Sequence, residues 1–182
     1  MNERTRDWPR ARLQDGLSSW FGVVAAVTDA RAAGRALRMH HLRATGRGHV
    51  DVRQLAHQAG IHVEAQHLDA PSGGLQALLI PMLRGGFTIE VDPRPAPPEA
   101  GVRRATLVRS RVAHELAHVL FYKPGAPPTR PDRPNDDEER ICDEFASALL
   151  VPGQLLRSTA TATARAADVT LELAEIARQR AA

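Results

Sequence analysis

The chain has 182 residues, of which 43% are hydrophobic and 25% are charged, a length that suits one ordinary domain with a real core and is short for two. No stretch approaches the roughly 20 uninterrupted apolar residues of a membrane span, and the first residues are charged and interrupted by proline, unlike a secretory signal. The single Cys142 cannot form an internal disulfide, so we expect a cytoplasmic protein with no membrane partner.

Positive charge is concentrated in the first third of the chain. Residues 1–53 contain ten arginines and five acidic residues, whereas residues 54–182 contain slightly more acids than bases. A nucleic-acid interface would combine clustered basic residues with aromatic side chains, and these arginines are dispersed. We therefore expect a solvated surface and no specific nucleic-acid partner.

The N-terminal region is predicted to contain an arm and a helix. Residues 1–14 are charged and are predicted to form a flexible arm. The alanine-rich segment 21–43, which carries Val24, Val27 and later Leu37, predicts one helix that Gly34 weakens in its middle.

A short helix, a strand and a hairpin are predicted next. Asp51 is a typical N-cap and Gly60 a typical residue just beyond a helix C-terminus, so a helix is expected between them. Residues 61–67 then read as a strand. The apolar and alternating pattern of residues 74–92, with glycines near its centre, predicts a β-hairpin with one buried face.

The C-terminal half is predicted to be mainly helical. A long helix is expected at about 102–122, followed by a proline-rich loop at 124–135 and an acidic helix at about 136–151. Residues 158–182 are expected to form a low-complexity linker and an amphipathic helix. Together these elements predict a single α+β domain at 15–157, in which a short antiparallel or mixed sheet packs on the two central helices, with extra helices at both ends.

The long central helix contains the sequence His114-Glu115-Leu-Ala-His118. Residues four apart lie above one another on a helix, so both imidazoles can reach one metal ion while Glu115 lies beside them, within reach of metal-bound water. At this composition the pattern is expected by chance about 0.02 times in such a chain. Two ordinary surface histidines are the alternative, but the apolar residues that flank the pair favour a buried metal site.

A catalytic zinc needs three protein ligands, and the acidic helix offers candidates for the third. If Ile141, Phe145 and Leu149 mark its core side, Glu139 and Asp143 lie four apart on an adjoining stripe. Glu139 is then the preferred ligand, and Asp143 can accept the free ring N–H of a ligand histidine. Glu138, Asp143 and Glu144 remain alternative ligands. Asp136, Asp137 and Glu138 suit a helix start, where acids offset the helix dipole.

These two helices resemble the ImmA/IrrE family of small zinc-dependent metallopeptidases. The segments that carry the resemblance are His114-Glu-Leu-Ala-His-Val-Leu-Phe121 and Glu139-Arg-Ile-Cys-Asp-Glu-Phe-Ala-Ser-Ala-Leu-Leu-Val-Pro152. The family pattern is a HELGH-like helix followed by E-x-x-A-N/D-x-F-A-x-x-L-L-M-P. The order of elements agrees over roughly residues 50–152. The chain departs from the pattern at Cys142, which replaces Ala, at Val151, which replaces Met, and at Tyr122, where His is common.

The resemblance implies a zincin-like fold and a zinc ion bound by His114, His118 and Glu139. In metal-assisted hydrolysis Glu115 would take a proton from water and return it to the leaving amine. Tyr122 follows His114 by eight residues, two helical turns on, and is a candidate donor to the developing oxyanion. It could instead be an ordinary helix-end residue, and His40, His41 or an arginine are the alternative donors. The family acts by cleaving a specific intracellular protein, often a helix-turn-helix repressor, in stress or mobile-element induction.

Two other functions use the same residues. One is a non-proteolytic regulator in which zinc is structural or sensory and the protein acts by binding a repressor or DNA. The presence of Glu115 argues against it, because a structural site needs no general base. The other is a hydrolase that processes a peptide precursor.

Overall fold

The computed structural model describes residues 8–68, 77–82, 86–92, 104–125 and 136–151. Their helices and strands are, in chain order, α1 (Trp8–Phe21), α2 (Ala30–Thr45), α3 (Val52–Gln58), β1 (His62–Ala65), β2 (Ala77–Pro81), β3 (Phe87–Val91), α4 (Arg104–Val119) and α5 (Asp136–Leu150). The predicted α+β class is confirmed. The proline-rich stretch at 126–135 and the predicted C-terminal linker and helix lie outside the described residues.

The three strands form a small mixed sheet in the order β1-β3-β2. β2 and β3 pair antiparallel, as the hairpin pattern predicts, and β1 pairs parallel to β3. On the central strand Phe87, Ile89 and Val91 are buried while the residues between them are half-buried, so one face of the sheet faces the core. Helix α4 packs against β2 and β3 and also against α5, and is therefore central to the fold.

The N-terminal half differs from the sequence prediction in two ways. The single helix expected at 21–43 is wrong, because the chain leaves α1 at Gly22, whose φ of 64° is a left-handed conformation that glycine adopts without strain. A new helix starts at Asp29, whose side chain accepts a hydrogen bond from the Ala32 N–H at 2.7 Å. Val24, expected on an apolar helix face, lies between the helices and is 90% exposed.

The flexible arm expected at 1–14 is also wrong over its second half. From Trp8 onward the chain is part of α1, and Leu13 is buried in the core. The end of α1 is tied to the end of α4 by the Trp20 indole, which donates a hydrogen bond to the Tyr122 carbonyl oxygen at 2.7 Å. Burial of one apolar side of α1 stabilises a segment whose charged sequence suggested an arm.

Helix α2 packs closely on α5 through Gly34. A Cβ atom at Gly34 would lie 2.5 Å from the Phe145 carbonyl oxygen, so only glycine allows this approach. The Arg38 guanidinium then donates hydrogen bonds to the last carbonyl groups of α5, to Leu149 at 3.3 Å and Leu150 at 2.8 Å. Gly34, expected only to weaken its helix, therefore brings α2 against α5 and helps hold α5 in place.

The helix predicted at about 102–122 is observed at Arg104–Val119, and the acidic helix at Asp136–Leu150. The N-cap predicted at Asp51 is present, because its carboxylate accepts a hydrogen bond from the Gln54 N–H. No helix of the described ranges is both long and apolar enough to span a membrane.

Candidate metal centre

Two buried histidines on α4 form the base of the candidate site. His114 and His118, one helical turn apart, are 7% and 2% exposed. Their rings meet edge to face, and the two Nε2 atoms are 3.2 Å apart. Both imidazoles therefore point the same nitrogen at one position, as two ligands of a single ion do.

Helix α5 brings a carboxylate to the same position. Glu139 places one oxygen 3.0 Å from His114 Nε2 and its other oxygen 3.4 Å from His118 Nε2. The Glu139 side chain is 40% exposed, whereas those of the two histidines are nearly covered. The ligand group formed by His114, His118 and Glu139, here called the metal triad, thus has a protein side and a solvent side.

The metal triad has the donors and spacing that a zinc ion requires. Imidazole nitrogen and carboxylate oxygen are both zinc ligands, and two atoms at about 2.05 Å from a tetrahedral zinc lie about 3.3 Å apart. The three distances between the triad's facing atoms are 3.0, 3.2 and 3.4 Å. The residues present therefore fit one small divalent cation.

Each histidine is oriented by a second carboxylate from α5. His114 Nδ1 lies 2.8 Å from Asp143 Oδ1, and His118 Nδ1 lies 2.9 Å from Glu138 Oε1. With a proton on each Nδ1, both histidines donate to a carboxylate and keep the Nε2 lone pair for the metal. This arrangement holds the rings in the tautomer that a metal ligand needs.

Glu138 has a place that sequence reasoning missed. Its assignment to the helix start is incomplete, because the side chain is nearly buried against His118 instead of lying in solvent at the helix terminus. The antiparallel course of the two helices is the signal that could have found it. His118 lies one turn after His114 on α4. Because α5 runs in the opposite direction, a residue that contacts His118 must lie about one turn before Asp143 on α5, which is near Glu138.

Glu115 follows His114 on α4 and is buried, at 7% exposure. Its carboxylate is therefore held in the interior on the helix that carries both histidines. The sequence motif predicts that this carboxylate accepts a proton from water and donates it again.

Tyr122 lies differently from the sequence expectation. Helix α4 ends at Val119, so Tyr122 is not two helical turns from His114 along the same face. Its ring packs instead on Phe87 of β3, with the ring centroids 5.2 Å apart. Tyr122 as an oxyanion donor therefore stays a prediction, without the helical spacing on which it was based.

The remaining candidate groups lie in the core or on other elements. His41 is buried on α2, and its Nε2 accepts a hydrogen bond from the Asp51 N–H at 3.3 Å. Cys142 is fully buried, and burial, with the charges of Glu138 and Glu139, raises the pKa of its thiol. Cys142 is thus a small core residue and not a thiolate ligand.

No protein-family model, curated protein or solved structure matches the chain.

Proposed function

We propose that the protein is a zinc-dependent metallopeptidase with a zincin-like active site. The observation that carries the proposal is the convergence of the metal triad, in which the facing atoms are 3.0 to 3.4 Å apart and each histidine is oriented by its own carboxylate. The resemblance of α4 and α5 to the ImmA/IrrE family supports the same conclusion.

The donor set favours a catalytic site over a structural one. Structural zinc sites have four protein ligands, whereas catalytic sites have three and keep one position open. Within the described residues the ligand group consists of three side chains, and Glu139 is partly exposed to solvent. Glu115, which follows His114 in the chain, is also expected of a hydrolase, because a structural site needs no general base.

Each residue has a distinct role in the proposed reaction. His114, His118 and Glu139 would hold zinc, while Glu138 and Asp143 orient the two imidazoles. A bound zinc supplies Lewis acidity, polarising a carbonyl and lowering the pKa of water toward 7. Glu115 accepts a proton from the attacking water and donates it to the leaving amine.

The neighbouring sheet supports a peptide substrate. β2 lies at an edge of the three-stranded sheet, and its outer side pairs with no strand of the described part of the chain. Helix α4 packs against β2, so this edge lies next to the helix that carries His114 and His118. An extended peptide added to β2 would gain backbone hydrogen bonds near the reacting groups. The proposed substrate is therefore a protein or peptide segment, with a cytoplasmic helix-turn-helix regulator as the candidate that the family resemblance suggests.

The test combines metal analysis with cleavage. Purified protein loaded with zinc should hold one ion per chain, and His114→Ala should lose it. The loaded wild type and Glu115→Gln are then incubated with a proteome-derived peptide library and with the regulator encoded beside the gene, and mass spectrometry identifies the new termini. Cleavage by the wild type alone supports the proposal. Zinc binding without any cleavage would instead favour the non-proteolytic regulator, and a chain that binds no zinc would refute both.

A further inference from the structure

A small cavity opens beside the metal triad. It has a volume of about 180 Å³ and lies between the middle of α4 and the second half of α5. Its lining residues are Ser110, Arg111, His114, Asp143, Ala146, Ser147, Leu150 and Val151. Because His114 belongs to both, a group bound in the cavity would lie directly next to a metal ligand.

The cavity has an apolar floor and a polar mouth. Ala146, Leu150 and Val151 are buried, whereas Ser110, Arg111 and Ser147 lie on the exposed sides of their helices. Aliphatic carbon of a ligand would therefore contact the floor, and polar atoms would remain near the mouth.

Arg111 is the cation at this mouth. It forms no ion pair with any residue in the described ranges, in contrast to Arg31 and Arg140, which both pair with Glu144. Among the described residues that line the cavity Asp143 is the only acid, and its carboxylate is already engaged with His114 Nδ1 at 2.8 Å. The guanidinium of Arg111 is thus available to a carboxylate from outside.

The volume limits what the cavity can hold. Sites for whole small molecules are typically about 300 to 1,000 Å³. A volume of about 180 Å³ equals that of roughly six water molecules and lies below this range, so the cavity can hold part of a ligand, such as one side chain, and not a whole small molecule.

We propose that this cavity is the subsite for an acidic side chain of the substrate, adjacent to the bond that is cleaved. The substrate carboxylate would pair with Arg111 and accept hydrogen bonds from the hydroxyls of Ser110 and Ser147, while its aliphatic carbons contact the floor. The inference rests on the proposed peptidase function, because it treats the metal triad as the place where the scissile carbonyl binds.

The experiment measures binding, so that it does not depend on cleavage. Three hydroxamates of one dipeptide scaffold, differing only in a glutamate, glutamine or leucine side chain, are titrated calorimetrically into the zinc-loaded full chain. We expect the glutamate compound to bind about fivefold more tightly than the glutamine compound, as for a partly exposed ion pair. Arg111→Ala should abolish this preference and Arg111→Glu should reverse it. Arg43→Ala, which makes the same change of charge on α2, should leave the preference intact.

The outcomes separate the subsite from the reaction. Equal binding of the glutamate and glutamine compounds to the wild type, or a preference that survives in Arg111→Ala, would overturn the subsite while leaving the zinc site intact. If the glutamate preference depends on Arg111 but no peptide is cleaved, the cavity remains a carboxylate-binding site beside the metal triad, and its role as a substrate subsite is overturned together with the peptidase proposal. If the chain binds neither zinc nor any hydroxamate, both proposals fail.

Discussion

The carboxylates that orient the two histidines should control zinc affinity to different degrees. Glu138 and Asp143 bond to the Nδ1 atoms of His118 and His114 at nearly equal distances, 2.9 and 2.8 Å. Their surroundings differ, because the Glu138 side chain is 11% exposed and that of Asp143 is 74% exposed. Solvent screens the exposed interaction more strongly. Removal of such a partner typically lowers metal affinity about 10- to 100-fold. We therefore expect Glu138→Ala to approach the upper limit and Asp143→Ala to stay near the lower one, a difference of about 1.4 kcal/mol.

Competition with a chromophoric chelator at fixed pH measures these affinities. Glu144→Ala is the matched control, because Glu144 is an acid of the same helix that bonds to Arg31 and Arg140 and not to a histidine. Its zinc affinity should remain that of the wild type. The reasoning is refuted if Glu138→Ala binds zinc as tightly as this control, or if Asp143→Ala loses more affinity than Glu138→Ala.

Three further predictions concern catalysis, packing and pH. Glu115→Gln should reduce turnover about 10²- to 10⁴-fold in a peptide-cleavage assay without changing zinc content or melting temperature; equal turnover would show that Glu115 is not the base. Gly34→Ala should lower the free energy of unfolding by about 1 to 3 kcal/mol in urea titrations, because the new Cβ would lie 2.5 Å from the Phe145 carbonyl oxygen. Gly48→Ala is the control and should not lower it, because a Cβ at Gly48 would meet open space. Equal effects of the two substitutions would contradict the close approach of the helices. The hydrogen bond from the Ala32 N–H lowers the pKa of Asp29, so the charged carboxylate stabilises the fold above the unfolded pKa of about 3.9, and this contribution is lost as the pH falls through the lower folded pKa. In metal-free protein the free energy of unfolding of the wild type relative to Asp29→Asn should therefore shrink over that pH range. A constant difference between the two proteins would refute the linkage.

Local patterns were enough to predict much of the architecture. The N-cap at Asp51, the antiparallel β2 and β3 pair and the two helices α4 and α5 all follow from residues close together in the chain. Helical periodicity also places His114 and His118 on one face without any knowledge of the fold. Each of these features depends on hydrogen bonds or side-chain spacing within one element, which the order of residues specifies directly.

The N-terminal helices show where such reasoning fails. The alanine-rich composition of residues 21–43 predicts a continuous helix, because helix propensity is summed over residues that are close in the chain and takes no account of tertiary contacts. The observed break follows Gly22, and α1 is held by Leu13 in the core and by the bond from Trp20 to Tyr122, 102 residues away. Contacts at that separation leave no local pattern in the sequence.

The sequence by itself determined which chemical groups the candidate site contains, because the histidine spacing and the acidic stripe are properties of single helices. Only the tertiary structure decided how these groups meet. The antiparallel packing of α5 on α4 directs the Glu139 carboxylate at the Nε2 atoms of His114 and His118. The same packing places the Glu138 carboxylate against His118 Nδ1 instead of in solvent. The physical reason is that a helix specifies the angles among its own side chains, whereas the distance between two helices depends on the residues packed between and behind them, including the close approach at Gly34.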